Sequence, residues 1–105
     1  MKTITDYLSP PELLAQLAEE AAELSQAALK LRRAMTGYNP TPVTVAEADA
    51  NLIEEAADVN LVLSFLLSDT AISEMDEIKD RKCKRWLNRL EEHRQNENEN
   101  ENGIV

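Results

Sequence analysis

The stretch from Val59 to Leu67 is apolar on almost every side, interrupted only by Asn60 and Ser64. A helix of that kind has to be surrounded by others, within one chain or across a subunit interface. The chain carries two glycines and few aromatics against abundant Ala, Leu and Glu, a balance that favours helix over strand. Three long helical patterns follow. The first opens at Ser9-Pro10-Pro11-Glu12, with Ser9 as N-cap, Pro10 at the first helical position and Glu12 completing a capping box. Its stripe of Leu13, Leu17, Leu24, Ala28 and Leu31 repeats at helical spacing, and Arg32, Arg33 and Gly37 mark its end. Residues 38–43, with Pro40 and Pro42, read as an extended connection. A second capping box, Thr44 with Glu47, starts a helix that runs to about Leu67. Ser68-Asp69-Thr70 provides a turn and a fresh start for a third, which carries Ile72, Met75, Ile78, Trp86 and Leu90 inward. The expected fold class is all-α: an antiparallel bundle of three long helices, with a short leading turn or helix in residues 1–8, completed by oligomerisation.

A chain of 105 residues is one domain, assigned here to residues 1–95, and it buries too little surface alone to make a second copy surprising. Residues 96–105, NENENENGIV, form a low-complexity polar tail expected to be disordered. No apolar run reaches the ~18 residues of a membrane span, and the Met1-Lys2-Thr3 start leads into no signal-like segment, so a soluble, cytoplasmic protein without membrane association is expected. Cys83 has no second thiol for a disulfide or a zinc site and is expected to be buried or inert. The net charge of −9 argues against general nucleic-acid binding. It leaves room for a polyphosphate ligand if a divalent cation lies between the two sets of negative charge.

The acids of the first two long helices are placed unusually. At about 100° per residue, Glu20 falls on the edge of the apolar stripe beside Leu13, Leu24 and Leu31, with Glu23 one turn on and Gln16 one turn before. In the second helix Glu55 lands between Val62 and Leu66, and Asp58 between Phe65 and Val62. Acids at i and i+3 project from one face and can share a metal. Four carboxylates on inward faces repel one another and resist dehydration unless a cation compensates, and all-oxygen ligands select magnesium, manganese or calcium over zinc. Acid pairs are also common on solvated helices: Glu12, Glu19, Glu47, Glu54, Glu91 and Glu92 read as solvated or capping. Glu20 and Glu23 by themselves suit a salt-bridged helix edge as well as a metal site. The matching pair on the next helix favours the metal.

The two segments Glu19-Glu20-Ala21-Ala22-Glu23 and Glu55-Ala56-Ala57-Asp58 resemble the EExxE and ExxD signatures of the MazG-like, all-α nucleoside triphosphate pyrophosphohydrolases, over roughly residues 13–90. The resemblance implies magnesium, with manganese as a substitute, on Glu20, Glu23, Glu55 and Asp58. It also implies catalytic roles for Glu23 and for Glu19, the latter in supporting the metal ligands or activating water, and polyphosphate contacts from Lys79, Lys82, Arg85 and Arg89 on the following helix. Trp86 stands where the family's Lys–Asn–Arg arrangement has its Asn. Any one of these cations can equally be part of a solvated basic face. The implied reaction is hydrolysis of a nucleoside triphosphate to the monophosphate and pyrophosphate by a homodimer or homotetramer, with Gln16 and the N-terminal segment as candidates for a base pocket. Two glycines exclude a Gly-rich phosphate loop. Di-iron carboxylate chemistry needs Glu-x-x-His pairs, which the single histidine, His93, does not form. The rival to an enzyme is a helical bundle that binds a partner protein through its apolar second helix.

Overall fold

The computed structural model describes residues 1–102 and is all-α. Four helices follow in order: α1 Ile4–Tyr7, α2 Pro10–Thr36, α3 Val45–Leu66 and α4 Asp69–Asn102. They fall into two compact units, Met1–Ser68 and a second that begins at Asp69. Among the described residues no helix is long and apolar enough to cross a membrane.

The first unit is an α2–α3 pair preceded by α1. The early part of α2 (Leu13, Gln16, Glu20) shares a hollow with the late part of α3 (Asp58, Leu61, Val62). Later α2 residues share a groove with Asn51 and Glu55, so the two helices run antiparallel. The buried apolar side chains are Leu13, Ala27, Leu31, Ala48 and Val62. The two most enclosed are alanines, Ala48 at 1% and Ala27 at 2% exposure. Short side chains at a helix crossing let the axes approach. The expected stripe is therefore rotated slightly: Ala27 rather than Ala28 faces α3, and Ala28 is exposed.

The helix ends separate what local chemistry can and cannot enforce. Thr44 accepts from the Glu47 amide at 3.1 Å, and the Glu47 carboxylate accepts from the Thr44 amide at 3.3 Å, the reciprocal box expected there. Gly37 closes α2 in the left-handed region, φ 71°, its amide donating to the Arg33 carbonyl at 2.9 Å. Ser9 is the N-cap of α2, but its side chain makes no capping hydrogen bond, which corrects the Ser9–Glu12 box. Pro11 at the second helical position has no N–H to offer, and Pro10 supplies the fixed φ that starts the helix without it. α1 is one turn, tied by the Thr3 amide donating to Asp6 Oδ2 at 2.7 Å.

The second unit is α4. Met75 and Ile78 are half-buried, whereas Ile72, Trp86 and Leu90 are 41%, 62% and 55% exposed, contrary to the inward placement expected for all five. Cys83 is exposed rather than buried, on an apolar stripe with Trp86, Leu87 and Leu90. Surface ion pairs Lys79–Asp76 at 3.2 Å and Lys84–Asp80 at 3.1 Å lie along it. The helix passes residue 95 and continues through the polar segment to Asn102, where the sequence pattern placed a disordered tail. Elongating a formed helix adds one hydrogen bond per residue fixed, and Glu is a good helix former, so the repeat can extend α4 without packing. Residues 103–105 of that tail lie outside the described residues.

Thr44→Ala is expected to lower the unfolding free energy by about 1 kcal/mol, whereas Ser9→Ala changes it by a few tenths at most. Urea denaturation of both variants checks this; equal losses would contradict the assignment of the two caps.

Candidate metal centre

α2 and α3 each contribute an i, i+3 acid pair to their shared seam. Glu20, Glu23, Glu55 and Asp58 each offer one carboxylate oxygen, and these four oxygens all lie within 4.8 Å of one another. Glu20, Glu55 and Asp58 are half-buried, and Glu23 is exposed. Gln16 donates from Nε2 to Glu20 Oε1 at 2.8 Å, one helical turn away, and so fixes that carboxylate's orientation. The other oxygen of Glu20, Oε2, is buried and has no hydrogen-bond partner, and the same holds for Glu55 Oε2. A buried polar atom left unpaired costs about 1–3 kcal/mol, more when charged. Two such atoms lie in this one cluster, within reach of a common centre that could hold a cation.

The electrostatics agree with the geometry. The charge of Glu20 raises the Glu23 carboxyl above its ordinary value, the charge of Glu55 adds to this, and lost hydration contributes further. An all-carboxylate donor set with no nitrogen or sulfur fits a hard divalent cation such as magnesium or manganese. Glu19 is exposed on α2, and the quartet is complete without it.

Two openings flank the quartet. On one side Glu20, Asp58 and Gln16 meet an apolar hollow of about 230 Å³ walled by Ile4, Leu8 and Phe65 among others. α1 thus supplies one wall, and Gln16 sits where the hollow meets the acids. On the other side Glu23 and Glu55 open into a polar groove of about 580 Å³ that also holds Gln26, Lys30, Arg33 and Asn51. Sequence reasoning assigned no ligand role to Lys30 or Arg33; Arg33 was read only as a favourable charge at the α2 C-terminus. The available signal was spacing: Lys30 follows Glu23 by seven residues, two turns on the same face, and Asn51 precedes Glu55 by four. The cations expected to touch phosphate, Lys79, Lys82, Arg85 and Arg89, belong to the second unit, all on exposed turns of α4, where Lys79 pairs with Asp76.

No family model, curated protein or solved structure matches the chain.

The raised Glu23 carboxyl has a signed consequence. The folded state holds this proton to higher pH than the unfolded chain does. Its contribution to stability is complete below the unfolded value and is lost as pH rises through the raised folded one. In metal-free buffer the Tm of the wild type relative to Glu23→Gln should therefore fall as pH rises through that window. Magnesium should flatten the difference by allowing Glu23 to ionise beside its neighbours. A wild-type-minus-variant difference that is flat with pH in metal-free buffer would contradict the crowding of these acids.

Proposed function

We propose that this chain is a divalent-cation-dependent nucleoside triphosphate pyrophosphohydrolase of the MazG-like kind. The observation that carries the proposal is the convergence of four carboxylate oxygens within 4.8 Å, two of the four residues having a buried and unpaired oxygen. The order of the motifs, EExxE on α2 and ExxD on α3, supports the same reading.

In this reading Glu20, Glu23, Glu55 and Asp58 hold magnesium or manganese. The bound cation supplies charge neutralisation for phosphate oxygens as the α–β phosphoanhydride breaks. The chain's own groups do the rest. Gln16 keeps the Glu20 carboxylate in one orientation by its 2.8 Å hydrogen bond, which reduces the reorganisation needed on binding. Glu23 is the exposed member of the quartet, facing the polar groove, and it meets the phosphates first. Glu19, exposed on the same helix, takes the proton released when water adds to the α-phosphorus. Pyrophosphate leaves and the nucleoside monophosphate remains. The apolar hollow with Gln16, Ile4 and Leu8 at its wall suits a base. The cations of α4, Lys79, Lys82, Arg85 and Arg89, are the further phosphate contacts that the resemblance implies.

The finer architecture proposed is an antiparallel bundle completed by a second copy, as a homodimer or homotetramer. α3 leaves Ile53 63% and Leu61 56% exposed, and α4 leaves Trp86 and Leu87 at 62% and 53%. Apolar faces of this kind mark an interface. The same exposure favours the second reading, a non-enzymatic module that binds a partner protein.

A panel of ribo- and deoxyribonucleoside triphosphates, with and without magnesium, separates the two. Magnesium-dependent release of pyrophosphate supports the enzyme, and no cleavage of any triphosphate leaves the interaction module. Asp58→Asn and Glu23→Gln should each lower turnover by about 100-fold or more, in the range set by loss of a metal ligand or its support, with helical content unchanged. Sedimentation equilibrium should find a dimer or tetramer that Leu61→Glu dissociates; a monomeric wild type would contradict the proposed assembly.

A further inference from the structure

The polar groove beside the acid quartet contains two cations that the chain does not neutralise. Lys30 and Arg33 are both half-buried, and among the described residues neither forms a salt bridge. Most Lys and Arg among the described residues are likewise without an ion pair; what sets these two apart is that both are half-buried and line the groove that holds Glu23 and Glu55. The reason they lack a partner is local. The helical neighbours of Lys30 at three and four residues are Gln26, Ala27, Arg33 and Ala34, and those of Arg33 are Leu29, Lys30, Thr36 and Gly37. None is acidic. Lys30 and Arg33 are instead i, i+3 neighbours of like charge, an arrangement that disfavours the helix unless an anion lies between them. On α4, by contrast, Lys79 and Lys84 each have an aspartate one turn away and pair with it.

The same groove begins at Glu23 and Glu55. Along the α2 axis Lys30 lies about 10 Å, and Arg33 about 15 Å, beyond Glu23, and their side chains lean back toward the N-terminus of the helix. Gln26 and Asn51 add neutral amide donors between the acids and the cations. A ligand lying in this groove meets cation-binding carboxylates at one end and two unneutralised cations at the other, so its chemistry is that of a phosphate chain extending from a bound divalent cation.

We propose that Lys30 and Arg33 bind the terminal phosphates of the substrate, and the pyrophosphate that leaves, in the groove that opens from Glu23 and Glu55. This rests on the pyrophosphohydrolase reading and adds to it a phosphate site on α2, within the same unit as the acids. Arg33 gives a forked guanidinium for two phosphate oxygens, and Lys30 a compact charge nearer the quartet. Arg33 lies in the last turn of α2, where a cation also favours the helix dipole. Arg32 shares that position but is exposed and outside the groove, which makes it the natural control.

Titration calorimetry of the full chain tests the proposal, with magnesium alone, pyrophosphate alone and magnesium pyrophosphate as probes. Lys30→Gln and Arg33→Gln should each weaken magnesium pyrophosphate binding by about tenfold or more, with magnesium affinity unchanged. Arg32→Gln should bind as the wild type does, and Lys30→Arg should restore most of the loss. Variants that bind magnesium pyrophosphate as tightly as the wild type, or a change in oligomeric state without a change in that affinity, would overturn the proposal. Failure of the wild type to bind magnesium strikes the function reading instead, and weak binding of pyrophosphate alone that still depends on Lys30 and Arg33 would uphold the anion site without it.

Discussion

Mutual repulsion among carboxylates at the α2–α3 seam sets the terms for the rest of the first unit. Two antiparallel helices place i, i+3 acid pairs opposite one another, and their oxygens come within 4.8 Å. Coulomb energy at such separations is substantial at the effective dielectric of a protein surface, and it acts on a pair of helices with a thin core. Among the described residues five apolar side chains are buried, and two of them are alanines. The seam does have ways to limit the strain. Glu23 stays exposed and holds its proton to higher pH, and Gln16 satisfies one oxygen of Glu20. Protonated, Glu23 can also share its proton with Glu20 and Glu55; with Glu23 ionised, the buried Oε2 atoms of Glu20 and Glu55 have no hydrogen-bond partner. A divalent cation would satisfy these oxygens and offset the repulsion together, and its binding would then be coupled to folding stability.

Much of this was legible because helix geometry is local. The reciprocal bonds of Thr44 and Glu47 need only residues three apart, and Gly37 ends α2 through its own backbone freedom at φ 71°. The acid quartet followed from placing each pair on its helix relative to the apolar stripe. What escaped was the part that depends on the partner element. The helix crossing chose Ala27 over Ala28, a rotation that the pattern of small and large side chains on α2 alone does not determine. The Ser9 hydroxyl makes no capping bond although the Glu12 amide that the box motif needs is present; Pro11 removes only the alternative donor at the second helical position. Arg33 has a sufficient local explanation as a cation near a helix C-terminus, and only the shared groove with Glu23 and Glu55 gives it and Lys30 another.

The sharp division of exposure along the chain bears on how it exists in solution. α4 shows a stripe of Cys83, Trp86, Leu87 and Leu90 along an otherwise charged surface, and α3 leaves Ile53 and Leu61 open. A short chain with so little enclosed apolar area is marginal by itself. In the proposed assembly a second copy would cover these faces, while the four acids themselves come only from α2 and α3. Leu61 belongs to both regions, because it also lines the hollow beside Glu20 and Asp58.

Anomalous diffraction from crystals grown with manganese tests the central claim most directly. The account predicts a strong peak at the α2–α3 seam with carboxylate oxygens of Glu20, Glu23, Glu55 and Asp58 around it at about 2.0–2.4 Å, the range of hard-cation–oxygen bonds. Carboxylates that spread into solvent in the presence of millimolar manganese, with no anomalous density between them, would contradict it.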